Sequence, residues 1–302
     1  MKLDFKAIRE NSLSIDFLAK KLVEGFITGL HKSPYHGFSV EFAEHRIYNA
    51  GESTRYIDWK VYAKTDKLYT KTFEEETNLR CHILIDISNS MRYPKEGVSK
   101  LFFSTYAAAA LSWLLFKQRD AISITTFNQS IIDQTPVKST SAHLQKLFAL
   151  LEKTLTPSST ENDTDLARVI HEISNTIHKR SLVVLFSDMI NTSENDKEFT
   201  EALMHLKHNK HEIIIFHIKD KKTEEEFDFV ELPHLFIDLE TGAKVKLRPS
   251  EIRDHYRTSA KERADKLKIL CGELNIDLVE ADTAEDIDHV LNTFLIKRSK
   301  MR

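Results

Sequence analysis

Short runs of apolar, largely β-branched residues recur along this chain, separated by stretches of helical periodicity. Cys81-His-Ile-Leu-Ile85, Ala121–Phe127, Ser181–Phe186, His211–Ile218 and Ile276–Ala281 are such runs. Each is short for a helix and reads as a strand; Cys81–Ile85, Ser181–Phe186 and His211–Ile218 are apolar enough to be buried on both sides. Helices are expected between them at 98–117, 141–154, 164–178, 197–208 and from Ser250 to about 271, with a last one opening at Asp282 or Thr283. Strands alternating with helices predict an α/β fold: a doubly wound, mostly parallel sheet flanked by helices. His234–Leu247, turning at Thr241-Gly242, reads as a hairpin inside an excursion over about 221–249. Upstream, Ile15, Leu18, Ala19, Leu22, Phe26 and Leu30 mark an amphipathic helix over 14–30. Strand candidates follow at 38–43 and 67–74. The expected division is an extension over 1–78 and a sheet domain over 79–302.

Several function classes are excluded early. Lys plus Arg number 43 against 46 Asp plus Glu, a net charge of −3, so the chain lacks the field of a nucleic-acid binder. Its basic ends, Lys20-Lys21 and Lys297-Arg298, are too short to reverse that. No GxGxxG or GxxxxGK[ST] occurs, which removes the usual phosphate cradles. Cys81 and Cys271 fit neither a zinc spacing nor a disulfide framework and read as reduced, buried thiols. His205-xx-His208-xx-His211 lacks a carboxylate or Cys at matching spacing and reads as an exposed helix end. Glu74-Glu75-Glu76 reads as a solvated strand end. The longest uncharged stretch, Leu101–Phe116, is shorter than the about 20 residues a membrane span needs. The N-terminus carries no apolar signal core. A cytoplasmic protein without a membrane span is therefore expected.

The chemistry-bearing segment is Asp86-Ile-Ser88-Asn-Ser90, directly after the first buried strand. In an open parallel sheet, ligands bind beyond the carboxyl ends of the strands. One carboxylate and two hydroxyls at alternating positions offer hard oxygen ligands suited to Mg²⁺, Mn²⁺ or Ca²⁺. Asp188 follows the strand Ser181–Phe186 and should emerge at the same end. Thr164, at the start of the helix carrying Leu166, Val169, Ile170 and Ile173, should do so too. Mg²⁺ keeps several waters, so an incomplete protein cage is expected. The bland alternative is that Asp86, Ser88 and Ser90 only cap turns and helix starts.

Asp86-x-Ser88-x-Ser90, with Thr164 and Asp188, resembles the metal-ion-dependent adhesion site of von Willebrand factor A domains. The upstream segment narrows the likeness. Glu41-Phe42-x-Glu44-x-Arg46-x-Tyr48-x-x-Gly51-Glu52-x-x-Arg55-x-Ile57-Asp58-Trp59-Lys60, then Leu68-x-x-Lys71-x-Phe73-Glu74-x-Glu76, is similar to the bacterial domain of unknown function 58 family. There the same segment precedes a von Willebrand A-like domain. This chain has Gly51-Glu52 where the family more often has Gly-Asp, and Met189 where many adhesion-type domains have Gly. The resemblance implies a non-enzymatic adaptor working with a MoxR-type AAA+ ATPase in chaperone-like assembly or stress response. It also implies a bound metal whose open position accepts an acidic group from a partner protein. Nothing in the sequence specifies an oligomeric state.

Two further readings stand beside it. Arg46, Tyr48, Arg55, Asp58 and Trp59 form either a partner surface or an internal latch in which an arginine pairs with Asp58 and Trp59 packs on the main domain. The enzymatic rival is a metal-dependent phosphatase or phosphotransferase with Asp86 as nucleophile. Such sites usually place a second Asp two residues on, and Ser88 cannot do that acid–base work near neutral pH.

Overall fold

A computed structural model of the chain describes residues 14–27, 39–48, 57–76, 79–156, 165–189, 196–237 and 243–291. Its contacts divide the chain into two compact units, one over residues 32–79 and one containing the rest.

The small unit is a hairpin-like pair of antiparallel strands with a short helix between them. β1 (Ser39–Ile47) pairs with β2 (Tyr69–Glu76), and the register shifts between Phe42 and Glu44. The helix α2 (Trp59–Thr65) starts where the Asp58 carboxylate accepts from Lys60 N and Val61 N, at 2.9 and 3.3 Å. Those are two of the N–H groups that every helix start leaves unpaired.

The large unit is built on a six-stranded sheet. Its strands are β3 (Arg80–Asp86), β4 (Ala121–Phe127), β5 (Ile131–Gln134), β6 (Leu182–Ser187), β7 (Glu212–Lys219) and β10 (Asp277–Asp282), in the spatial order β10-β7-β6-β3-β4-β5. All neighbours are parallel except β5, which turns back antiparallel on β4 at the edge. The sheet is thus mostly parallel, as its apolar runs require. β5 escapes sequence reading because it is short and half wet. The excursion contains the turn Lys221–Glu225 and a separate hairpin of β8 (His234–Ile237) and β9 (Lys244–Leu247).

Helices cover both faces. α1 (Ile15–Ile27), α3 (Lys100–Lys117) and α4 (Ser141–Leu155) pack against one another. α5 (Leu166–Thr176), α6 (Asp196–His208) and the end of α7 (Pro249–Glu273) form the other layer; Val169, Ile173, Leu203, Leu206 and Cys271 meet Leu84, Val183, Leu185 and Ile215 there. Strand residues of opposite parity, including Ile83, Ile85, Phe186 and Phe216, point the other way. The Phe186 and Phe216 rings stack at 4.7 Å. α1 belongs to this unit, with Ile15, Leu18, Ala19 and Val23 buried, so the extension expected over 1–78 divides. A helix of 13 residues is marginal alone in water, and tertiary burial holds it.

α3 is buried on nearly every side. Two of its interior hydroxyls bond back to its own backbone: Ser104 Oγ donates to Lys100 O at 2.8 Å and Thr105 Oγ1 to Leu101 O at 2.7 Å. That removes the cost of burying them unpaired. Cys81 and Cys271 are buried thiols outside any disulfide, as their spacing implied; burial pushes the Cys271 thiol up to about 11. Two expectations are corrected. The long helix α7 is entered through Arg248 with Pro249 in its first turn, rather than starting at Ser250; proline is suited to that position because its missing N–H would be unpaired there anyway. His211 is buried, its Nδ1 accepting from Ser181 N at 3.2 Å, so the triple-histidine stretch is not simply an exposed helix end.

Candidate functional site

β3 and β4 are joined through α3 toward one edge of the sheet, while β6, β7 and β10 progress toward the other. The winding therefore reverses between β3 and β6, which lie side by side. A crevice forms beyond the strand ends at such a reversal, and residues ending both strands meet there.

Asp86 ends β3 and is 1 % exposed. One carboxylate oxygen accepts from Ser88 N at 3.0 Å, an Asx-type turn that folds the loop back over its own strand. The other accepts from Ser187 Oγ, at the end of β6, at 2.8 Å. The Ser88 and Ser90 hydroxyls lie 3.0 Å apart, both buried. The three oxygen-bearing side chains of the Asp86 loop are thus drawn to one place.

Asp188 is buried next to this group. Its carboxylate accepts from Lys100 Nζ at 2.7 Å, and the same ammonium reaches Glu224 at 2.5 Å from the turn after β7. His217 Nε2 lies 3.1 Å from the Asp188 carbonyl oxygen. Met189 takes φ 54, the left-handed region that a glycine would occupy at no cost. Its N–H donates to Ser187 Oγ at 3.1 Å and its side chain is buried in the core. These contacts hold a non-glycine residue in that conformation.

The charges are unevenly balanced. Burial, reinforced by the Asp188 charge, pushes the Asp86 carboxyl up to about 7, against the pull of its bonds from Ser88 and Ser187. Burial alone would depress the Lys100 ammonium, but Asp188 and Glu224 outweigh it and hold its pKa above the ordinary lysine range. Burial raises Glu224, with Lys100 opposing. Lys100 supplies one buried positive charge to a pocket holding three carboxyl groups, and Asp86 makes no direct bond to it.

Of the expected ligands, Asp86, Ser88, Ser90 and Asp188 lie at the strand ends. Thr164 lies outside the described residues. Helix α5 begins at Leu166, with Asp165 as its cap accepting from Arg168 N at 3.0 Å. Among the described residues no cluster of three or more His, Cys, Asp or Glu is arranged to hold a metal; any cation here would depend on hydroxyls and water. Sequence reading missed Ser187, Lys100, Glu224 and His217. Ser187 carried a signal, a polar residue beside an acid at a strand end. Lys100 carried none, since a lysine opening a helix ordinarily faces water.

The second candidate set lies in the small unit. Arg46 sits in β1 opposite Thr70, and Tyr48 N donates to Leu68 O at 3.0 Å. Asp58 caps α2. Trp59 is 60 % exposed, with Tyr62 edge-on at 6.1 Å. Arg55 lies outside the described residues.

Comparison with known proteins adds the following. A family model described as "Protein of unknown function DUF58" matches residues 44–266. The uncharacterized protein Rv1480 of Mycobacterium tuberculosis is 21% identical over 265 residues, 86% of this chain and 80% of that one. Among solved structures, the conserved hypothetical protein BatB from Bacteroides thetaiotaomicron matches 74% of this chain and 100% of its own, at 13% identity and TM-score 0.43. An aerotolerance-related membrane protein from Bacteroides fragilis matches 73% of this chain and 100% of its own, at 16% identity and TM-score 0.47. The expectation of a cytoplasmic protein is withdrawn: it rested only on the lack of a long apolar segment, which fixes no location, and the Bacteroides fragilis protein is described as a membrane protein. Among the described residues no helix is long and apolar enough to cross a membrane.

Proposed function

We propose, for a chain that belongs to the DUF58 family, that its large unit is a von Willebrand A-like, metal-dependent protein-interaction module without catalytic activity of its own. In this reading Asp86, Ser88 and Ser90, with Asp188 and Thr164, hold Mg²⁺, or Mn²⁺ or Ca²⁺ in its place, partly through water. An acidic group of a partner protein completes the shell. The family resemblance makes a MoxR-type AAA+ ATPase the first partner to test, with the chain as its adaptor in assembly or stress response.

The observation that carries the reading is Asp86. It is fully buried at the reversal of the sheet, beside two adjacent hydroxyls, and burial and Asp188 push its carboxyl up to about 7. A hard divalent cation would favour its charged form and use oxygen donors of this type. Ser187 Oγ and Ser88 N orient the carboxylate, and Lys100 neutralises Asp188 so that two acids tolerate each other in the dry site.

Calorimetric titration with MgCl₂ tests the site: saturable binding to wild type and none to Asp86→Ala is expected. Retention from host lysate in Mg²⁺, lost in EDTA and lost in Asp86→Ala, tests the adaptor role. Turnover of a generic phosphate ester, abolished by Asp86→Asn, would instead identify a phosphotransferase.

A further inference from the structure

We infer that the cleft beside the Asp86 loop is a receptor for one acidic side chain of a protein partner, anchored by Arg92. The cleft lies beyond the carboxyl ends of β3 and β4, walled by Ser88 and Asn89 on one side and by Thr126 and Asn128 on the other. The end of α4 closes it at Thr154. It therefore borders the proposed metal site and shares Ser88 with it. Its role in partner recognition rests on the interaction-module reading; its chemistry does not.

Size narrows the occupant. The cavity is ≈ 140 Å³. A void of about 150 Å³ accommodates a benzene-sized group, whereas cofactor pockets run to about 300–1,000 Å³. The cavity matches the size of a single side chain.

Charge and hydrogen bonding select its type. Lys153 and Asp133 both line the cleft and pair with each other at 3.0 Å, which cancels their charges. The Arg92 guanidinium remains as the net charge. Its contacts to Thr154 O and Thr156 O are long, at 3.5 and 3.4 Å. A guanidinium has five N–H donors in a planar fork suited to a carboxylate, and two long bonds from one nitrogen leave most of that capacity for a stronger acceptor. A second observation points the same way. Asn128 spends its amide oxygen on Ser130 N at 3.3 Å, leaving its amide nitrogen to donate. The wall thus offers donors around one cation, as a carboxylate requires.

The test is a ¹H–¹⁵N amide titration of the full chain with N-acetyl-glutamate amide, beside N-acetyl-glutamine amide and inorganic phosphate, each in Mg²⁺ and in EDTA. The blocked glutamate should shift the amides of Asn89, Asn128 and Thr154 saturably and equally in both conditions, with no saturable response to the glutamine. Arg92→Gln should weaken the response at least tenfold. Arg92→Lys, which keeps the charge but loses the fork, should weaken it at least threefold, and provides a second variant if the first loses the wild-type amide pattern. Lys153→Gln should change it less than threefold. Equal response to glutamate and glutamine, preference for phosphate, no response, or indifference to both Arg92 variants overturns the inference. Glutamate binding that requires Mg²⁺ and Asp86 but not Arg92 would overturn the cleft and leave the metal reading intact. Arg92-dependent binding in EDTA, in a chain that binds no Mg²⁺, would uphold the cleft and sink the metal reading.

Discussion

Two polar clusters lie along the same strand, and they solve burial in opposite ways. His82 and Asp86 are four residues apart in β3, about 13 Å, with side chains on the same face of the sheet. At the Asp86 end the groups are acids, and a buried ammonium from α3 compensates two of them. At the His82 end the central group is an imidazole, which burial keeps neutral near pH 7. His82 Nδ1 lies 2.8 Å from Ser123 Oγ, and its Nε2 has no hydrogen-bond partner among the described residues. Burial first, then the neighbouring His211, His178 and Arg80, pull its pKa down to about 4. An imidazole near neutral pH can give up its charge when buried; a carboxylate beside another carboxylate needs a cation. The His82 end discharges itself, and the Asp86 end retains a charge to be matched.

The largest effect expected is at Lys100. Lys100→Met leaves Asp188 and Glu224 buried without their ammonium, a loss of about 3–5 kcal/mol. Urea denaturation at pH 7 measures it; a loss under about 1 kcal/mol would show that the acids are neutral or hydrated without the lysine.

The pH dependence at the other end follows. His82 has its pKa lowered from 6.5 to about 4, so its contribution is fully present above pH 6.5 and is lost as pH falls toward 4. The unfolded chain takes up that proton first. The loss amounts to about 3 kcal/mol at most. His82→Gln should flatten this part of the stability profile between pH 7 and 4.5, and an unchanged slope would place the acid sensitivity elsewhere. Asp86 has the opposite sign. Its carboxyl is raised from 3.8 to about 7, so stability from this group is present below pH 3.8 and is lost as pH rises through 7.

It follows that Asp86→Asn, measured in EDTA at pH 8, should be more stable than wild type by about 2 kcal/mol, because a buried charge is removed. The same variant should lose any stabilisation by Mg²⁺. Thermal melts with and without MgCl₂ read both outcomes. A variant less stable than wild type in EDTA would mean that the charged form is already satisfied by the protein. The smallest effect is at Ser187. Ser187→Ala removes the donor to Asp86 and the acceptor of Met189 N, costs about 1 kcal/mol, and should raise the Asp86 pKa further, visible by carboxyl ¹³C titration.

Legibility in the sequence followed the range of the interaction. Ala121–Phe127 is read as a strand with the observed bounds, because a continuous apolar run between turns depends on its own residues alone. The Asp86 loop is legible for the same reason: its first bond, Ser88 N to Asp86, spans two residues. β5 is not, since a four-residue edge strand carries too few alternations to stand out. Lys100 passes unnoticed in the sequence as a lysine beside an apolar helix. Its partners lie 88 and 124 residues away, and no local pattern distinguishes a lysine that meets two acids from one that meets water.

The alternation of apolar runs with amphipathic stretches, a property of the residues alone, determined that this chain would build a covered, mostly parallel sheet and that Asp86 would stand at a strand end. The spatial order of the strands, the convergence of β3 with β6, and the lysine set between two acids were decided by tertiary structure. Hydrophobic burial specifies which faces must be hidden and is non-directional. Charge compensation in a dry interior depends on distances of a few ångströms between segments far apart in the chain, and only the folded molecule sets those distances.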